Sequence, residues 1–131
     1  MPRGEGPAGD RTIQQQLEEA WPRDLPARDE QQLTAMAKTL LRADATGVGR
    51  ARFPDHFPEA GDTVTTAFSR FRIQAVIARQ DDSQGRAVVH LVWAGADRGG
   101  THSDGRTTTL HFTRTTRNAA ASWTPQPHTR P

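Results

Sequence analysis

Five histidines are the first residues to weigh, because imidazole is the usual metal ligand and general base near neutral pH. They stand at His56, His90, His102, His111 and His128. His90 and His111 fall in two alternating apolar runs that predict neighbouring strands, so a matching register would pair them on one face. A metal site there needs a third ligand, for which Asp104 or Asp97 is the acidic option. No closely spaced motif such as His-Glu-x-x-His joins them, and two half-exposed or hydrogen-bonded strand histidines are the plainer reading. His102-Ser103-Asp104 has the residue types of a hydrolase triad, but a triad is a spatial constellation and neighbours on one turn seldom converge. Asp55-His56 follows Arg50, Arg52 and Phe53 and is the best acid–base candidate in the chain. Its plainer reading is a solvated loop.

Arginine is the other chemistry-bearing type. Of 17 basic residues only Lys38 is a lysine. A GC-rich genome explains that bias without any function. The distribution carries more information. Residues 1–65 hold eight basic and eleven acidic side chains, whereas residues 66–131 hold nine and four. Arg70, Arg72 and Arg79, with Arg86, Arg98, Arg106, Arg114 and Arg117, make the second half basic. Arg70, Arg72, Arg79 and Arg114 are the expected binding residues, for a nucleic acid or an acidic protein partner. Sheets that bind nucleic acid usually add exposed aromatics, and Trp123, beside a polar tail, is the expected stacking residue. Trp21 and Trp93 read as core residues, and exposure of either would mark a partner surface. Gly47-Val48-Gly49-Arg50 follows a helix rather than preceding one, so it reads as a helix stop and not a phosphate loop.

These residues must be positioned by a modest core. The chain has 131 residues, the size of one domain, and 34% are hydrophobic. No window approaches the roughly 18 apolar residues of a membrane span. The N-terminal stretch lacks the apolar segment of a secretory signal. There is no cysteine, which excludes disulfides, thiolate metal sites and a cysteine nucleophile. A cytoplasmic protein without a cofactor is the expectation.

Residues 1–11 and 125–131 predict disordered tails around one domain over 12–124. Thr12 and Gln15 have capping-box spacing, and Ile13, Leu17, Ala20 and Trp21 share one helical face that ends at Pro22. Asp29 and Gln32 repeat the spacing before the stripe Leu33, Met36, Ala37, Leu40 and Leu41, and Gly47 stops that helix. Residues 44–62 read as irregular. From Val64 the period becomes two. Phe71, Ile73, Ala75 and Ile77 alternate with polar or small residues, and Phe68 lies out of phase, which predicts a bulge near Ser69 and Arg70. Asp81 to Gly85 is a turn. Val89, Leu91 and Trp93 alternate with Val88, His90 and Val92, apolar on both faces, as in a central strand. Ser103-Asp104-Gly105-Arg106 predicts a hairpin turn, then Leu110 and Phe112 alternate with Thr109, His111 and Thr113. A last short strand surrounds Trp123. The class is α+β, two N-terminal helices packed on a curved antiparallel meander of three to four strands. The helices should cover the face carrying Ile73, Ile77, Leu91 and Trp93.

This order of helix, helix, bent strand, long strand, strand and short Trp-bearing strand resembles the NTF2-like (cystatin-like) superfamily over about residues 12–124. The resemblance implies a curved sheet around a long helix, a cone in which Asp55 and His56 act on a small molecule, and a homodimer through the sheet. Separately, Val88 to Thr101 is similar to small proteins of high-GC Gram-positive bacteria, some from plasmid or mobile-element transfer regions. The function expected first is a non-catalytic accessory or adaptor protein that binds a protein or nucleic acid through its basic sheet. A small-molecule-binding domain or small enzyme comes second. A DNA-binding regulator comes third, because Glu18, Glu19 and Glu30 on the helices repel phosphate.

Overall fold

The computed structural model describes residues 7–48, 68–81, 85–97, 99–117 and 120–126. Helix α1 spans Pro7–Ala20 and helix α2 spans Ala27–Thr46. Strands β1 (Ser69–Gln80), β2 (Arg86–Ala96), β3 (His102–Arg117) and β4 (Ala120–Pro125) follow. They pair antiparallel in the order β1-β2-β3-β4, so the chain is α+β with its helices before its sheet.

Helix α1 starts five residues before Thr12, inside the expected tail. Proline suits a first helical turn, since its missing N–H has no intrahelical partner there anyway. Thr12 and Gln15 are therefore interior residues of the helix rather than its N-terminal capping box. Residues 1–6 and 127–131 of the expected tails lie outside the described residues. The second capping expectation also fails. Pro26 is the N-cap of α2 and gives no side-chain hydrogen bond, which leaves Asp29 and Glu30 in the first turn, where the helix dipole favours acid. The other end is as expected. Gly47, at φ 87°, donates to Ala43 O and stops α2.

Leu33, Ala37, Leu40, Leu41 and Ala45 of α2 pack on Ala78, Ala87, Val89, Leu91, Trp93, Leu110, Phe112 and Trp123, all 7% exposed or less. The stripe works because residues three and four apart share a helix face while alternate strand residues share a sheet face. β2 is central, as its two apolar faces predict. Its Val92 points the other way and packs with Ala75 under Ile13 and Leu17 of α1. The helices thus lie on opposite faces, contrary to the expectation that both cover one.

An extra residue in β1 accounts for Ile77, which leaves the face that carries Ile73. Ile73 pairs with Trp93 and Ala75 with Val92, so Gln74 is a bulge. Phe71 and Ile73 face α2, whereas Ala75 and Ile77, beyond the bulge, face the α1 side. A second register shift, between Ser69 and Arg72, is the bulge predicted there, and Arg70 takes the left-handed φ of 51°.

The Asp104-Gly105 pair is not the hairpin turn. The β2–β3 turn is formed around Asp97, which accepts from Gly99 N and Thr101 N, with Gly100 at φ 86°. Gly105, at φ 69°, lies within β3 where its register against Trp93 and Gly95 shifts. A left-handed glycine serves a bulge as well as a turn. Gln74 ties the two bulges together. Its Oε1 accepts from Gly105 N at 2.8 Å, across β2, while its Nε2 donates to Asp10 of α1 at 3.1 Å.

Edge strand β1 is closed by side chains. Gln14 exchanges two hydrogen bonds with the Val76 backbone, at 2.8 and 2.9 Å, as a neighbouring strand would. Asp24 accepts from Gln80 N at 2.8 Å, and Arg79 Nη1 donates to Ala78 O. Those bonds leave little free template for another strand.

Candidate binding surface

Helix α1 covers only the β1 side of its face. Among the described residues that face is exposed over β3, β4 and Arg86 of β2, whereas Val92 of β2 is buried beneath α1 and His90 lies beneath Trp21. Register places Arg86 beside Thr113, His90 beside Thr109, and Val88 beside His111. Across the next ladder Thr113 meets Thr124 and Thr115 meets Ser122. Thr107, Thr109, His111, Thr115, Ser122, Thr124 and Arg86 are exposed, while Leu110 and Phe112 between them are buried. The result is a row of hydroxyls and imidazoles on an uncovered sheet. Thr115 Oγ1 lies 3.3 Å from Thr124 Oγ1, so the hydroxyls also support one another.

An aromatic pair borders this row. Trp21 follows the last residue of α1 and is 46% exposed, against the expectation of a core residue. Its indole stacks on the His90 imidazole with centroids 5.0 Å apart and planes 19° apart. Burial, then the neighbouring His111 and Arg79, push the His90 pKa below its ordinary value. The environment therefore favours the neutral imidazole.

His90 and His111 do share a face, as expected, but as diagonal neighbours, since His90 is opposite Thr109. Nδ1 of His111 lies 4.0 Å from Asp81, and Nδ1 of His90 lies 3.4 Å from Thr109 Oγ1. Asp97 is engaged in its turn, and Asp104 lies near Arg72 at the far end of the sheet. Among the described residues no group of three or more His, Asp or Glu could hold a metal ion. Ser103 Oγ accepts from Arg106 Nε at 2.7 Å, which commits the serine of the triad-like run to its own strand. Asp55 and His56 lie outside the described residues.

The four expected binding arginines do not form a patch. Arg79 is 3% exposed. Its Nη1 donates to Glu30 at 2.6 Å and its Nε to Trp21 O at 2.7 Å. Arg72 donates to both carboxylate oxygens of Asp10, at 2.9 and 3.0 Å. A side chain bound this way offers little charge to an incoming anion. Arg70 and Arg114 are exposed, but at opposite ends of the sheet, with Arg114 on the α2 side opposite Trp123. Trp123 is 6% exposed and part of the core, so the stacking residue is Trp21 instead. Sequence periodicity placed Trp21 on an apolar helical face. Pro22 signals the end of α1, but nothing local shows that Trp21 then lands on His90 of β2 and stays half exposed. The hydroxyl row was readable, since threonines alternate with Leu110 and Phe112.

The α2–sheet interface that would house a cone-shaped pocket is filled by Leu33, Leu40 and Leu41 against Leu91, Leu110 and Phe112, and His90 faces away from it. A cleft of about 290 Å³ opens elsewhere, between α1, α2 and the edge of β1. Its lining includes Glu18, Arg23, Glu30 and Lys38. The two carboxylates are bridged by Arg23, at 3.6 and 3.5 Å. No helix among the described residues is long and apolar enough to cross a membrane. No family model, curated protein or solved structure matches this chain.

Proposed function

We propose that this chain is a non-catalytic accessory protein that binds an anionic partner on the uncovered face of β2–β4, with Trp21 as its anchoring ring. The observation that carries the reading is the open row of Thr107, Thr109, His111, Thr115, Ser122 and Thr124, bounded by Arg86 and by the Trp21–His90 stack. Hydroxyls and imidazoles donate hydrogen bonds to phosphate or carboxylate oxygens, and a half-exposed indole stacks on a base or a planar side chain. Plasmid transfer is the setting that the resemblance of residues 88–101 suggests. A nucleic acid is the first partner to test, and an acidic protein is the second.

The experiment is a salt series of binding to short single- and double-stranded DNA. Few fixed cations border the row, so log K should fall with log salt at a slope of only about −1 to −3. Arg86→Ala should make that slope shallower by about one. Trp21→Ala should weaken single strands more than duplexes. No binding at about 50 mM salt would remove nucleic acid as the partner.

A further inference from the structure

The Trp21–His90 contact joins a hydrogen-bonded backbone to a half-exposed ring. Trp21 N donates to Leu17 O at 2.9 Å, and Trp21 O accepts from Arg79 Nε at 2.7 Å. The indole itself is 46% exposed and rests on the imidazole. His90 in turn cannot move far, because Val89 and Leu91 on either side of it are buried to 1% or less. The charged groups facing His90 come from two elements. Arg79 of β1 is balanced by Glu30 of α2 at 2.6 Å, and His111 of β3 lies 4.0 Å from Asp81.

We infer that the Trp21–His90 stack is a pH-controlled latch on the border of the open face, closed while His90 is neutral and released when His90 takes a proton. Its use in partner binding rests on the reading of that face given above, but the latch itself is a property of the free chain. The physical cause is the environment of the imidazole. Burial strips water from the charged form, Trp21 lies stacked over the ring, and His111 and Arg79 repel the charge. A cation is also drawn to an indole face, which opposes release, but that attraction is weak where the ring is half in water. A histidine with a lowered pKa binds its proton more readily once it is solvated. As pH falls below the ordinary value of 6.5, the state with His90 uncovered gains protons first and is favoured. Lifting one indole is the smallest opening that uncovers it, so release precedes any loss of the core.

The test uses the full chain. Ring-proton NMR gives the His90 midpoint, and acrylamide quenching gives the exposure of Trp21, taken as the difference between the wild type and Trp21→Phe. Trp93 and Trp123 are 7% and 6% exposed and add little. The expected result is a His90 midpoint below about 6.5, with Trp21 quenching rising from about pH 7 to about pH 5. His90→Phe should abolish the rise, and His111→Gln should move the midpoint upward by removing a repelling neighbour. A midpoint at or above the ordinary value overturns the latch, as does titration of His90 with flat Trp21 quenching. Binding of the short single strand at both pH values separates the two proposals. A latch that titrates while the wild type binds DNA at neither pH would stand, and the nucleic-acid reading of the open face would fall.

Discussion

The two faces of the sheet are held by different physics. On the α2 face, Leu40, Leu41, Leu91 and Phe112 meet with almost no exposed surface and no charged residue among them. On the α1 face, Ile13, Leu17, Ala75 and Val92 form a small apolar contact, Ile77 is buried beside them, and much of the remainder is polar. Asp10, Gln14 and Asp24 hold β1 through hydrogen bonds, and Arg79 holds Glu30 and the end of α1. One face is fixed by burial, which is non-directional and large per residue. The other is fixed by geometry, which specifies position at a smaller net gain. A binding surface needs a positioned but uncovered strand face, and the second kind of packing leaves one.

That contrast can be broken most forcefully on the first face. Phe112→Ala removes a fully buried ring among Leu110, Trp123 and the α2 leucines, and should cost about 3–5 kcal/mol by urea denaturation. A loss under about 1 kcal/mol would mean the α2 interface is not the close-packed core described. Glu30→Ala comes next. It strands the buried Arg79 guanidinium, whose Nη2 already lacks a partner among the described residues, and should cost about 3 kcal/mol. The double change Arg79→Met with Glu30→Gln should recover much of that loss, because no buried charge is then left unpaired. If Glu30→Ala is neutral, Arg79 is not anchored as the structure places it.

The same contrast decides what the sequence could tell. The α2 face was legible because its stripe from Leu33 to Leu41 and its strand residues Val89, Leu91 and Phe112 obey simple periods. Gly47 and the irregularity at Ser69 and Arg70 were legible because each breaks a period visibly. The bulge at Gln74 was not. Its flanks, Ile73 and Ala75, continue an alternation that looks unbroken, and only pairing with Trp93 and Val92 reveals the extra residue. That one residue sends Ile77 to the far face and lets Gln74 and Arg72 both meet Asp10. Arginine burial was equally hidden. Nothing local separates Arg79, which is sealed against Glu30, from Arg86, which is exposed. Replacing Arg70, Arg72 and Arg79 together, which charge counting suggests as a harmless surface test, would therefore damage the fold.

Weaker tests reach the polar face. Arg72 pairs with Asp10 at the surface, with its side chain 41% exposed, so Arg72→Ala should cost only about 0.5–1 kcal/mol and less at high salt. The hydrogen bond from Arg72 is the main reason that Asp10 is held below its ordinary 3.8, against the opposing effect of burial. A carboxylate lowered in this way stabilises the fold above its unfolded value and loses that contribution as pH falls through its folded value. Stability of the wild type should therefore drop below about pH 4, and Asp10→Asn should flatten that part of the profile. An unchanged acid limb would place the stabilising charge elsewhere.

The smallest expected effect on stability is also the sharpest test of the open face. Thr107→Val and Thr115→Val keep the shape and the β-branching of the side chain and remove only its hydroxyl. Both residues are exposed, so each change should stay within about 0.5 kcal/mol in urea denaturation. If the hydroxyl row contacts a partner, the pair of changes should weaken binding while the melting curve stays in place. Each lost hydrogen bond is worth about 0.5–1.5 kcal/mol, or roughly twofold to twelvefold in affinity. Affinity that survives both changes, yet falls with Trp21→Ala, would confine recognition to the aromatic border and make the threonines a solvated strand face.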